Sequence, residues 1–252
     1  MNVKDNTILI TGGASGIGRG LAEAFHNLGN LVIISGRRQE ALDEVTAANP
    51  GMQSLRLDIA DPADVTDFAE KITAFYPKLN VLINNAGIMQ SEDLAKAPDY
   101  LDIAEKTIAT NLLGPIRLTA ALLPHLQAQR HAAVLTVSSG LAFVPMAAAP
   151  TYCATKAAIH SYSMALRRQL RDTSVQVIEI VPPYVQTELQ GARQANDPAA
   201  MPLNDFITEV MQLLSGDGAI NEVVVERCAP LRFAAENGRL DIMFQTINAA
   251  PH

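Results

Sequence analysis

The chain has 252 residues, 48% hydrophobic and 18% charged, with a net formal charge of −7. The hydrophobic share excludes a disordered polypeptide, and an acidic chain without a Lys/Arg run lacks the basic face that a nucleic-acid partner requires. Lys4 and Asp5 interrupt the start, no apolar stretch reaches the roughly eighteen residues of a membrane span, and Cys153 and Cys228 are the only cysteines. We therefore expect a cytoplasmic protein with no membrane partner and no disulfide framework.

Short β-branched runs alternate with helical patterns. Strands are expected at residues 7–11, 31–35, 54–57, 81–84, 133–138 and 175–181. The first, second, fifth and sixth are almost continuously apolar, as strands covered on both faces must be. Helices are expected at 16–28, 39–48, 62–75, about 100–129, and 152–170. Asp61 before Pro62 supplies a capping side chain followed by proline at the first helical position. Such alternation predicts an α/β fold, a parallel sheet with helices on both faces. After Val185 the pattern loosens. Gly191, Pro198 and Pro202 give 186–203 the composition of a loop or lid; a helix at 204–214 and a strand at 221–225 follow, and the remaining apolar residues have no clear period. One domain is expected over 1–252, with a cofactor-binding and catalytic core at 1–185 and a substrate loop, helix and variable C-terminal segment at 186–252.

Thr11-Gly12-Gly13-Ala14-Ser15-Gly16-Ile17-Gly18 closes the first strand and opens the first helix. Glycines lack a Cβ, so a phosphate can approach the backbone, and the free N–H groups and dipole of the helix start favour an anion. Gly12, Ser15, Gly16, Ile17 and Gly18 are candidates for holding a dinucleotide, although a tight strand–helix connection would use the same glycines. The next strand runs into Gly36-Arg37-Arg38. Folds that hold the ribose diol of NAD place an acidic side chain about 20 residues beyond the glycines. Arg37 and Arg38 would instead welcome a 2′-phosphate, favouring NADP (NADPH) over NAD, unless they simply begin a solvated helix. Asn84-Asn85-Ala86-Gly87 ends the fourth strand, and Asn111, Ser139 and Tyr152-Cys153-Ala154-Thr155-Lys156 follow. Tyr152 and Lys156 lie one helical turn apart, where an ammonium beside a phenol favours the phenolate and brings its pKa toward working pH.

Together and in this order, these segments resemble the short-chain dehydrogenase/reductase (SDR) family over roughly residues 5 to 188. The resemblance makes TGGASGIG the cofactor turn, Asp58 with Ile59 the adenine-side contact, and Asn85, Ala86 and Gly87 the fourth-strand motif. It makes Asn111, Ser139, Tyr152 and Lys156 a catalytic tetrad, with Ser139 preferred over Ser138 by its spacing to the tyrosine, and Pro182, Val185 and Thr187 neighbours of the nicotinamide. It implies a single Rossmann-type doubly wound parallel sheet of about seven strands and a homodimer or homotetramer built through two long helices. It also gives Pro115 a meaning. Proline has no N–H to bond the Asn111 carbonyl, which in the family holds a proton-relay water; the alternative is an ordinary kink. Two features depart from the family pattern: Pro182-Pro183 replaces Pro-Gly, and 222–226 is a looser substitute for the usual C-terminal strand.

Met89, Leu141, Phe143, Met146, Tyr184, Leu189 and Met201 are expected to line the substrate pocket because they adjoin these motifs. His26, His125, His131, His160 and His252 are scattered without ligand spacing, so no metal is expected. Cys153 has no base beside it and reads as a small buried or pocket residue. The function expected is an NAD(P)-dependent oxidoreductase interconverting a ketone or aldehyde and an alcohol by hydride transfer, as an NADPH-preferring carbonyl reductase on hydrophobic ketones. The alternatives are a dinucleotide-binding regulatory or scaffold protein without turnover, and an NADH-dependent alcohol dehydrogenase.

Overall fold

Ile8, Leu9 and Ile10 in the middle of β1 (Thr7–Thr11) are fully buried, so both faces of this strand must be covered. The computed structural model, which describes residues 1–216 and 218–249, shows how; His252 lies outside the described residues. The other strands are β2 (Leu31–Gly36), β3 (Gln53–Arg56), β4 (Leu79–Asn84), β5 (Ala132–Val137), β6 (Val175–Val181) and β7 (Glu222–Val224). They form a seven-stranded, all-parallel sheet in the order β3-β2-β1-β4-β5-β6-β7.

Alternation along each strand divides the core in two. Ile8 and Ile10 of β1, Val32 and Ile34 of β2, and Ile178 and Ile180 of β6 pack on one face with α1 (Gly16–Asn27), α2 (Gln39–Ala48) and α8 (Leu203–Leu214). Leu9, Ile33 and Val177 pack on the other with α3 (Pro62–Phe75), α5 (Gly114–Gln127) and α6 (Pro150–Gln169). Parallel strands joined by helices on alternate faces make a Rossmann-like doubly wound sheet. Its order reverses between β1 and β4, and that seam opens a crevice at the C-terminal strand ends.

Local chemistry sets the start of α3. Asp61 accepts hydrogen bonds from the N–H groups of Ala63 (2.9 Å) and Asp64 (3.4 Å), and Pro62 occupies the first turn of α3. The expected long helix at 100–129 is instead divided. Between α4 (Leu101–Ile108) and α5, residues Ala109–Leu113 widen into a π turn, and Gly114 N–H bonds the Ala109 carbonyl. Pro115 follows at once, so the chain lacks the N–H that would tighten this stretch back to α geometry. The segment after β6 holds a four-residue helix, α7 (Ala192–Ala195), where only a loop is expected, and a parallel bridge between Val185 and Met201. The C-terminal part, which has no readable period, forms α9 (Ala229–Arg232) and α10 (Leu240–Ile247), and no residue of α10 is buried. Among the described residues no helix is long and apolar enough to cross a membrane.

Candidate active site

The crevice at the seam contains a cavity of about 340 Å³. Its floor is the glycine turn. Gly12 has φ of +66° and Gly16 of +51°, backbone that L side chains avoid, and a Cβ on Gly12 would stand 2.9 Å from the Ala86 Cα. Gly18 does not line the cavity; any Cβ there would strike the Gly12 carbonyl, so this glycine lets α1 pack against the turn. Asn85 ties the seam together. Its Nδ2 donates to the carbonyls of Thr11 (2.9 Å) and Gly12 (3.2 Å), while Thr11 Oγ1 accepts from the N–H groups of Asn85 and Ala86, both at 3.1 Å.

Gly12, Ser15, Gly16, Ile17, Asn85, Ala86, Gly87, Ser139, Tyr152, Lys156, Pro182, Val185 and Thr187, all anticipated from sequence, line this one cavity. An adjoining cavity is lined by Ser35, Gly36, Arg37, Arg38, Leu57 and Ile59. Asp58 lines neither: its Oδ1 accepts from Ala60 N–H at 3.1 Å, which turns the chain between two cavity residues. A shaped glycine cradle at a helix N-terminus, continuous with an exposed arginine pair, fits a phosphate-bearing dinucleotide.

Tyr152 and Lys156 are buried on α6 beside β5. Lys156 Nζ donates to the Val137 carbonyl at 2.8 Å and lies 5.5 Å from the centroid of the Tyr152 ring. Burial holds the Tyr152 phenol above its ordinary value, and its interaction with the Ser139 hydroxyl opposes that rise. This corrects the expectation that the lysine draws the phenol downward: the ammonium is turned to a backbone carbonyl, and desolvation dominates. Burial lowers Lys156 itself to about 8, against an upward pull from the Glu179 charge. Ser139 lies two residues beyond β5 in extended conformation, its Oγ accepting from Leu141 N–H at 3.1 Å. Ser138 is more deeply buried, its Oγ directed to the Ile180 carbonyl at 3.4 Å. Asn111 lies in the π turn and lines neither cavity. Its side chain grips Ile88 in both directions, Oδ1 accepting from the N–H and Nδ2 donating to the carbonyl, each at 2.8 Å.

Of the expected pocket residues, Met89 and Leu189 line the cavity, and Leu141 and Met146 pack on a small apolar cluster of Met89, Ala149, Tyr152 and Cys153. Three are elsewhere, because adjacency in sequence does not fix the direction of a side chain. Phe143 stacks edge-on to His160 and beneath Arg232; Tyr184 is exposed and its hydroxyl bonds Asp197; Met201 is core, paired to Val185. Sequence reasoning missed Gln194, which is buried and lines the cavity. Its Nε2 donates to the Val185 carbonyl (2.8 Å) and to Thr187 Oγ1 (3.1 Å), fixing the loop after β6. A lone glutamine in a loop carries no signal that would have singled it out. His160, Glu179 and Glu222 come within 4.8 Å of one another, a grouping invisible to sequence spacing because it spans α6, β6 and β7.

Known proteins resemble this chain. The family described as short chain dehydrogenase matches residues 6–198. The chain is 41% identical over 252 residues, covering 98% of each, to the uncharacterized oxidoreductase DltE of Bacillus subtilis (strain 168). It is 31% identical to the NADP-dependent 3-hydroxy acid dehydrogenase YdfG of Shigella flexneri, over 75% of this chain and 77% of that one. Among solved structures, the closed form of serine dehydrogenase complexed with NADP+ superposes with a TM-score of 0.77 at 28% identity, over 85% of this chain and 92% of the other.

Proposed function

The chain belongs to the short-chain dehydrogenase family, and from that premise we propose that this oxidoreductase is an NADPH-preferring reductase of hydrophobic ketones. The observation that carries the reading is that one cavity joins the glycine turn to Ser139, Tyr152 and Lys156. When bound, the dinucleotide supplies the hydride. Gly12, Ser15, Gly16 and Ile17 would hold its phosphates, Ile59 its adenine side, and Val185 and Thr187 its nicotinamide end. Tyr152, neutral because it is buried, gives its proton to the carbonyl oxygen as that oxygen gains charge, and Ser139 donates a second hydrogen bond to the same atom. Lys156 holds a positive charge beneath the ring, and Asn111 fixes Ile88 and so the cavity wall.

Arg37 and Arg38 favour a 2′-phosphate, in keeping with the NADP named for two of the relatives. Among the described lining residues Lys156 is the one basic side chain and Glu188 adds a negative one, which favours a neutral ketone over a hydroxy acid. Exposed Ile108, Leu113 and Met164 support a homo-oligomer. The test is NADPH and NADH oxidation against aryl and alkyl ketones, with 3-oxo acids as the competing class. Arg37→Ala should weaken NADPH selectively, and Gly36→Asp, which has room beside Leu42 Cδ2 at 3.9 Å, should move preference to NADH. A wild type that prefers NADH in kcat/KM, or accepts only 3-oxo acids, would sink the corresponding half of the reading.

A further inference from the structure

Strand β6 reads VQVIEIV, and its one acidic residue, Glu179, is fully buried. It points to the face that α6 covers, as Val175 and Val177 do. Its Oε2 lies 2.8 Å from His160 Nδ1, and its Oε1 is buried with no hydrogen-bond partner. A buried carboxylate with an unmatched oxygen is unfavourable in isolation, so its position calls for a cation.

Every charged group around it can be placed. From α6 come Lys156, His160 one turn further on, and Arg167, whose guanidinium is committed to the carbonyls of Val177 (2.9 Å) and Asn221 (2.8 Å). From β7 comes Glu222, the register partner of Glu179. Arg232 of α9 holds both Glu222 oxygens, at 2.6 and 3.1 Å, and also reaches Glu236 at 2.7 Å. Although His160, Glu179 and Glu222 are close enough to suggest a metal, the Arg232 guanidinium already supplies the cation for Glu222. His160 faces Oε2 directly and is a cation only when protonated; the other buried cation on this face is Lys156. The lysine is buried one turn before His160, and its Nζ is held on Val137, the strand neighbour of the Thr136 that pairs with Glu179.

We propose that Glu179, oriented by His160, is a positioning residue: the buried counter-charge that keeps Lys156 an ammonium in the cavity. This rests on the proposed role of Lys156. The Glu179 charge opposes the effect of burial on the lysine, so removing it should let Lys156 lose its proton at lower pH. A merely structural glutamate would alter stability without moving that titration.

The experiment is an NMR pH titration of the full chain carrying ¹³Cε-labelled lysine, with the Lys156 signal assigned by its loss in Lys156→Arg. Wild type should titrate near 8. In Glu179→Gln the midpoint should fall by about one pH unit, and the basic limb of kcat/KM should move the same way. Glu179→Asp, which keeps the charge but sets it back, should fall in between. Should the glutamine variant fail to fold, Glu179→Met fills the volume without charge and gives the same reading. A Lys156 midpoint within about 0.3 pH unit of wild type in a folded uncharged variant overturns the proposal. A shifted midpoint in a protein that turns over no carbonyl upholds it while counting against the reductase reading.

Discussion

Tyr152 is a phenol that burial keeps protonated, in contact with a serine hydroxyl and within one helical turn of a buried lysine. This arrangement suits proton donation, because the acid form persists across the ordinary pH range. In the reverse direction the phenol must first lose its proton, so alcohol oxidation should rise with pH well into the alkaline range while ketone reduction does not need that step. Tyr152→Phe keeps the ring and its packing but removes the transferable proton. Its kcat should fall by at least about 10²-fold with dinucleotide binding retained, as measured by steady-state rates and cofactor titration. Near-normal turnover in that variant would refute the role assigned to it. At this scale the sequence is informative about identity and weak about environment. Tyr152, Lys156 and Ser139 could be named from their order and spacing. The dominance of burial over the lysine's charge at Tyr152 could not, because it depends on where Nζ points. Glu179 did leave a trace, a lone acid within an apolar strand, but its partners His160 and Lys156 become visible only when α6 is laid across β6.

The π turn at Ala109–Leu113 makes Asn111 a test of element geometry. A π turn carries one more residue than an α turn, so it rotates every side chain that follows, and here it aims the Asn111 amide at both polar groups of Ile88. Pro115→Ala restores an N–H that can bond the Asn111 carbonyl and draw the chain back toward α geometry. Removing an interior proline can stabilise a helix by up to about 3 kcal/mol where the distortion is not otherwise enforced. The expected result is an unchanged or raised Tm together with a lower kcat, most visible when proton transfer limits the rate. A wild-type kcat at every pH would remove Pro115 from the mechanism. Elsewhere, legibility followed burial. Strands covered on both faces, such as β1 and β6, announce themselves as apolar runs and were located to the residue. β7, three residues long with Val223 fully buried, falls within the strand expected at 221–225, whereas α10 buries nothing and imposes no period on its sequence.

At the scale of the whole molecule, both cavities straddle the seam between β1 and β4 and share Gly12, Ser15, Ala86, Gly87 and Ile88. Residues that would read the adenosine end, from Gly36 to Ile59, belong to the chain before β4. Ser139, Tyr152, Lys156 and the Gln194-fixed loop belong to the chain after it. Side-chain hydrogen bonds cross the division at Thr11 and Asn85 and, at the other end of β1, from Thr7 N–H to Asn80 and from Asn80 to Asn6, alongside the β1–β4 ladder and the apolar cores shared by both halves. Dinucleotide choice and substrate choice should therefore be separable by exchange of these segments. A hybrid that takes residues 1–75 from an NAD-preferring relative, with Thr11 kept, should exchange its coenzyme while ranking a series of ketones in the parent's order. Loss of that ranking in a folded hybrid would mean that the two halves shape the substrate pocket jointly.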